Sequence, residues 1–315
     1  MKYLDLAMNA AEKFGAEYAD IRIQKTTDQV IYLQNLSLKH TSNNVLQGYG
    51  IRVFKDGAWG FAHSNVFNEE AVLATVKKAV EIATLSAEVN KTQKLRLAPE
   101  RSYIATYRTP VKIDPFTVPV SEKIDLMMEV ARTMLAYEGI MKTVFLMILH
   151  KDEKLFASTL GTRLDLTTQF INPMITAVAV TESDSQSRTF DEGGRAVGWE
   201  WILELDLREK AKQIAEEAII KVKADTLGAE ERRSLILDPN HLGLTMHESV
   251  GHATELDRVL GWEADYAGVS FATPEKLNNY HYGSELINFV GDNTLEEGLA
   301  TLGFDDDGVP GQKWY

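Results

Sequence analysis

Apolar residues recur at helical spacing as far as about Phe14 and then, from Ala19, fall on every second position. Ala19-Asp20-Ile21-Arg22-Ile23 alternates as a half-buried strand does. Further strands are predicted at Gln29 to Leu33, Leu36 to His40 and Leu46 to Lys55, set apart by polar breaks. Asp56-Gly57, between Ile51-Arg52-Val53-Phe54 and Ala58-Trp59-Gly60-Phe61, is a hairpin dipeptide, so this stretch reads as an antiparallel meander. A helix is expected after Asn68, whose side chain can cap free amides while Glu69 and Glu70 suit the positive end of the dipole. Its apolar stripe runs through Val72, Val76, Ala79, Val80 and Ala83.

Polar residues from Asn90 to Pro99 read as a linker. Pro110 and Pro115 prolong an irregular passage to Ser121, the expected cap of a helix ending near Gly139. Ile140 to Leu149, Leu155 to Leu160 and Arg163 to Thr181 then predict a second antiparallel sheet. A helix follows from Asp206 to about Val222, with Ala211, Ile214, Ala215, Ala218, Ile219 and Val222 on one face. Arg233 to Asp238 reads as a strand stopped by Pro239, and a helix is expected from His241 to about Leu256. Beyond it, glycines cut the chain into short pieces, with a strand at Leu286 to Val290. The pattern gives an α+β protein: two successive antiparallel sheet-plus-helix units, 1–98 and 99–227, then the start of a β-rich domain, 228–315.

Composition narrows the chemistry. The 315 residues contain no cysteine, so disulfides, thiolate metal sites and cysteine nucleophiles are excluded within the chain, and a metal must be held by N and O ligands. The formal charge of −13 argues against a nucleic-acid partner, since phosphate binding needs a basic surface. Asp5 interrupts any signal-like run at the N-terminus, and no apolar stretch approaches membrane-spanning length. The expectation is a cytoplasmic protein without a membrane partner. Gly48-Tyr49-Gly50 lacks the third glycine of a phosphate loop, so no nucleotide cofactor is expected.

The candidate chemistry lies in His247-Glu248-Ser249-Val250-Gly251-His252. Zinc-assisted hydrolysis needs ligands that leave one position open and a base for the attacking water. His247 and His252 supply the ligand type and Glu248 the base. With seven histidines in the chain, such a hexapeptide arises by accident on the order of once per hundred sequences. Spacing adds a difficulty: residues five apart stand about 140° around an α-helix, against about 40° for residues four apart. A π-bulge would return both rings to one face, and Gly251 would ease the distortion; otherwise these are exposed helix histidines. Glu255 and Asp257 are placed to orient a ligand imidazole or to act as plain surface charge. Asp305-Asp306-Asp307-Gly308 lacks the spacing of a calcium loop and reads as a solvated turn. His40, His63, His150, His241 and His281 stand singly and read as structural, with His281 a spare ligand to watch. Tyr280-His281-Tyr282, Trp262 and Trp314 suit a peptide groove or a core equally well.

The segment from His247 to Asp257 resembles the signature of the TldD/PmbA family, also called modulators of DNA gyrase. Ala16 to Arg22, Gly48 to Val53 with Gly60-Phe61-Ala62, and Asp305-Asp306-Asp307-Gly308-Val309-Pro310-Gly311-Gln312 extend the resemblance over nearly the whole chain. It implies a zinc metallopeptidase acting on short or unfolded peptides inside a homodimer, or a heterodimer with a PmbA/TldE-like chain. His247 and His252 would be ligands of one zinc ion and Glu248 the base, as in the TldD-like members that carry the motif. The family's third zinc ligand is a cysteine beyond the Asp305–Gln312 loop. This chain stops at Tyr315 without one, which is expected of a fragment or a shortened relative. The competing expectation is a catalytically inert interaction or dimerisation protein of the same family.

Overall fold

Helix α1 (Lys2–Lys13) leads into two long antiparallel strands, β1 (Tyr18–Gln34) and β2 (Ser37–Lys55). The computed structural model describes residues 2–89, 94–226, 228 and 232–314, so most of the expected linker's first half, 90–93, lies outside the described residues. Two expected breaks are absent. Residues 24–28 and 41–45 are ladder positions within β1 and β2. Main-chain pairing does not depend on side-chain polarity, and these side chains stay exposed or half-buried, where they keep their water. Asp56 and Gly57, at φ 53 and 82, make the tight turn into β3 (Ala58–Ser64), as the dipeptide predicts.

Helix α2 (Glu69–Val89) begins where expected, with the Ala71 amide donating to the Asn68 side-chain oxygen at 2.7 Å. Its predicted stripe from Val72 to Ala83 is buried throughout. Strand β4 (Ile104–Arg108) forms in the passage expected to be irregular, pairing parallel to β6 below. Helix α3 (Val120–Leu135) starts one residue ahead of Ser121, behind Pro119, which makes no side-chain cap. Proline's fixed φ suits a helix entrance, so ring geometry replaces the expected hydroxyl cap. The helix ends short of Gly139, whose φ of 93 turns the chain into β5 (Ile140–Ser158). Strands β6 (Arg163–Val180) and β7 (Ser185–Phe190) and the short helix α4 (Glu200–Glu204) precede α5 (Leu207–Val222). Asp206 caps α5 by accepting from the Glu209 amide at 3.1 Å.

The α+β class holds, and the two sheets expected in succession are one. β1 pairs with β5 from Asp20↔Ser158 to Gln34↔Val144, which joins both runs in a seven-stranded sheet ordered β3-β2-β1-β5-β6-β4, with β7 on β6. Odd-numbered side chains of β1 and β5 face the helices. Leu4, Met8 and Val76 pack there on Ile21, Ile51 and Val53; Met127, Met134 and Ile214 pack on Ile31, Phe145 and Met147. Burying one such side chain contributes roughly 1.5–3 kcal/mol, against about 0–1 kcal/mol for an exposed ion pair. Apolar area therefore holds the helices on the sheet. Even-numbered positions of β1, from Asp20 to Asp28, form a polar face on the other side.

By compactness the chain divides into Met1–Ala224 with Asp292–Trp314, and Asp225–Gly291. In the second unit, Pro239 does not stop a strand: it opens helix α6 (Pro239–Met246), with the Asn240 amide donating to Asp238 at 3.0 Å. Residues 233–238 and 286–290, both expected as strands, enter no ladder among the described residues. An extended segment needs a partner to be stable, and Leu235 and Ile236 are 80% and 101% exposed. The expected β-rich character of 228–315 is thus reduced, in the described residues, to the two-residue strands β8 (Gly291–Asp292) and β9 (Lys313–Trp314).

Candidate metal centre

Helix α6 does not end at Met246; it widens. The His252 amide bonds back to the His247 carbonyl, five residues earlier, so His247–Gly251 is a π turn, followed by a 3₁₀ turn at His252–Thr254 and by helix α7 (Leu256–Val259). This wider turn resolves the spacing difficulty. The two imidazole centroids lie 4.3 Å apart with their planes at 72°. Gly251 has ordinary helical angles, φ −53 and ψ −63, so the turn does not draw on glycine's conformational freedom as expected. What supports it is side-chain capture of its carbonyls. The Tyr282 hydroxyl donates to Ser249 O, and Thr254 Oγ1 to Val250 O at 2.9 Å and Gly251 O at 3.2 Å. Ser270 Oγ donates to Ala253 O at 2.5 Å. A loosened helix leaves carbonyls to be satisfied, and these hydroxyls do so. In the sequence Tyr282 read only as a groove or core aromatic, and Thr254 and Ser270 carried no signal of this role.

The Glu248 carboxylate stands beside both rings, 3.8 Å from His247 Nε2 and 4.0 Å from His252 Nε2. His252 Nδ1 is held by Glu255 Oε1 at 2.9 Å, and Glu255 Oε2 by Arg258 Nε at 2.7 Å. An imidazole that donates from Nδ1 presents the lone pair of Nε2. Asp257 is not used in this way: its carboxylate accepts from the Arg258 amide at 2.8 Å. One donor atom from each of His247, Glu248 and His252 falls within 4.8 Å of the others, and these three are the convergent group among the described residues. Two imidazoles and a carboxylate with an oriented ring fit a borderline first-row ion such as zinc in donor type. His281 does not join the group.

Two apolar clefts, of about 430 and 300 Å³, flank the π turn and share Thr254 and Tyr282. Leu256, Val259, Leu277 and Tyr280 line the first, Ile287 and Phe289 the second. His281, Trp262 and Trp314 line neither. The Asp305–Asp307 run forms the exposed turn expected, and it also docks on the sheet of the first unit. Asp306 meets Lys154 at 2.5 Å and Arg22 at 3.4 Å, and Asp307 meets Arg52 at 2.7 Å.

His150, read as structural, lies on β5 between Asp28 at 2.7 Å and Asp152 at 3.0 Å and stacks on Phe170. The bond to Asp152 raises its pKa most and the bond to Asp28 adds to it; together they outweigh burial and carry it from 6.5 to about 9. A raised folded-state pKa stabilises fully below the ordinary value and is lost as pH rises through the folded one. The melting temperature should therefore fall between pH 7 and pH 10 by more in the wild type than in His150→Gln. Equal falls would show that the pair of carboxylates does not hold the charged ring.

Comparison with known proteins places the chain in a family. Residues 19–83, 113–224 and 230–315 match, in order, the first, central and C-terminal domain models of the PmbA/TldA metallopeptidases. A metalloprotease of Methanocaldococcus jannaschii is 28% identical over 94% of this chain and 63% of its own length. A zinc metalloprotease TldD homologue of Saccharolobus solfataricus is 22% identical over 96% of this chain and 63% of its own. The chain thus spans less than two thirds of the curated relatives it matches. Among solved structures, a Thermotoga maritima protein described as a modulator of DNA gyrase superposes with a TM-score of 0.68 at 20% identity, covering 99% of this chain and 67% of that one. TldE from Thermococcus kodakarensis gives 0.63 at 15%, covering 99% and 66%. Such identities speak for the fold alone. With three successive domains of one family matched along its length, the chain belongs to the PmbA/TldD metallopeptidase family.

Proposed function

We propose that this chain carries the catalytic helix of a zinc peptidase that hydrolyses short or unfolded peptides. The observation that supports this reading is the π turn, which gathers His247, Glu248 and His252. His247 and His252 would hold one zinc ion, with Glu255 fixing the His252 ring; Asp257 serves the same segment through the Arg258 backbone. Bound there, zinc would supply the Lewis acidity that makes water a better nucleophile near neutral pH. Glu248 takes a proton from the attacking water and passes it to the leaving amine as the carbon–nitrogen bond breaks. The clefts beside the turn receive apolar side chains of an extended peptide, with Tyr282 as their shared wall.

The same reading keeps 1–98, 99–227 and 228–315 as its three domains, each containing one family match. It also includes a cytoplasmic location, and pairing with a second copy or a PmbA/TldE-like chain, the latter as the resemblance implies. No described helix is long and apolar enough to cross a membrane.

Metal analysis tests the assignment. After zinc supplementation and dialysis, the wild type should retain about one ion per chain, and His247→Ala and His252→Ala little or none. A chelator should abolish hydrolysis of a small unfolded substrate and added zinc should restore it. Wild-type protein that emerges metal-free, or histidine variants that keep their zinc, would remove the site.

A further inference from the structure

A concavity of about 970 Å³ lies on the helix-free face of β1, β2 and β3 in the first unit. Its floor is open because β2 carries Gly48 and Gly50 there, paired across β1 with Gln24 and Arg22. A Cβ on Gly50 would lie 2.9 Å from the Phe61 ring, so that ring rests directly on the strand. Phe61 is 54% exposed and stacks on His63 with centroids 5.9 Å apart. Together with exposed Leu46 it gives the concavity an apolar wall.

Three cations stand at this face, and two of them hold carboxylates at close range. Arg52 holds Asp20 through Nε at 2.9 Å and Asp307 through Nη2 at 2.7 Å. Lys154 holds Asp306 at 2.5 Å. Arg22 differs: its Nε is buried without a hydrogen-bond acceptor, and its Nη1 reaches only the far oxygen of Asp306, at 3.4 Å. An orphaned buried donor is costly and rare in native proteins. A guanidinium fork with free donors matches a carboxylate bidentately.

We infer that this concavity binds the C-terminal carboxylate of a peptide, with Arg22 as its partner and Phe61 against the terminal side chain. Net charge does not draw the ligand here: Arg52 is held by Asp20 and Asp307 and Lys154 by Asp306, and Asp152 stands on the same face, bonded to Gln24 and Thr26. A phosphate with two charges to satisfy is disfavoured there, while a single carboxylate is held by the Arg22 guanidinium itself. The site uses none of the residues proposed to hold zinc.

Calorimetric titration of the full chain with N-acetyl-phenylalanine and with its amide tests the proposal. The acid should bind saturably and the amide about ten- to hundredfold more weakly, the loss associated with a hydrogen bond to a charged group. Arg22→Gln should weaken the acid by a similar factor, and inorganic phosphate should not displace it. Gly48→Val, at an ordinary strand position where a Cβ meets only Ser64 O at 3.4 Å, should block the concavity without touching Arg22. Glu248→Gln should bind the acid as the wild type does, which separates this site from the metal centre. The proposal is overturned if the acid does not saturate, if acid and amide bind alike, or if phosphate competes. It is equally overturned if either variant binds the acid unchanged; should Arg22→Gln not fold, Gly48→Val alone decides.

Discussion

Glu248→Gln should lower peptide hydrolysis by about 10²- to 10⁴-fold, the range lost when a positioned general base is removed. It should leave the zinc content intact. Glutamine keeps the length and planarity of the side chain beside the two rings but has no basic oxygen to take a proton. Glu255 anchors His252 and Tyr282 and Thr254 anchor the backbone independently of Glu248, so the turn and the His252 ring have no cause to move. Turnover numbers and metal content measured on the same preparations separate the outcomes. Full activity in the variant would deny Glu248 its role as base, and loss of zinc together with activity would make it a ligand.

The second large effect concerns folding. Gly60→Ala should destabilise the first unit by about 3 kcal/mol or more, at the upper end of what overpacking a core costs. A Cβ on Gly60 would run into the Ala79 carbonyl oxygen and the Ala83 amide nitrogen of α2. Both are backbone atoms inside a regular helix, so no rotamer change relieves the overlap and α2 must lift from β3. That movement would open the contacts of Val76, Ala79 and Ala83, all fully buried. Urea denaturation of the wild type and the variant measures the difference; coincident midpoints would show that the helix accommodates the methyl group freely.

Local signals were legible in the sequence wherever one residue type forces one backbone state. Asp56-Gly57 made its turn, Asn68 capped its helix, and the stripes of α2 and α5 faced the core as their spacing required. Where the outcome depended on a distant partner, the pattern was silent. Residues 24–28 and 41–45 looked like breaks because their side chains are polar, yet their main chains pair across the sheet. Residues 233–238 looked like a strand because Leu235-Ile236-Leu237 is a short apolar run ending before Pro239, yet no ladder receives them among the described residues. The joining of two runs of strands through β1 and β5 is likewise a long-range event, and alternation within either strand says nothing about which neighbour it will choose.

The metal centre shows the same division. His247, Glu248 and His252 were readable as a donor set, and the five-residue spacing called for a widened turn, which the chain adopts. The role of Glu255 was open between ring support and surface charge, and it contacts the ring. Asp257, equal to it on paper, points to its own backbone, because the chain turns into α7 between them.

A π turn holds one residue more than the α turn it replaces, so the segment from His247 to His252 amounts to a familiar four-apart histidine pair with a single insertion. Searches keyed to the four-apart spacing pass over such a chain, while the rings themselves, 4.3 Å apart, satisfy the distance that the spacing was meant to encode. For sites of this kind the useful descriptor is the separation of rings in space, and a count of intervening residues is only its shadow in a regular helix.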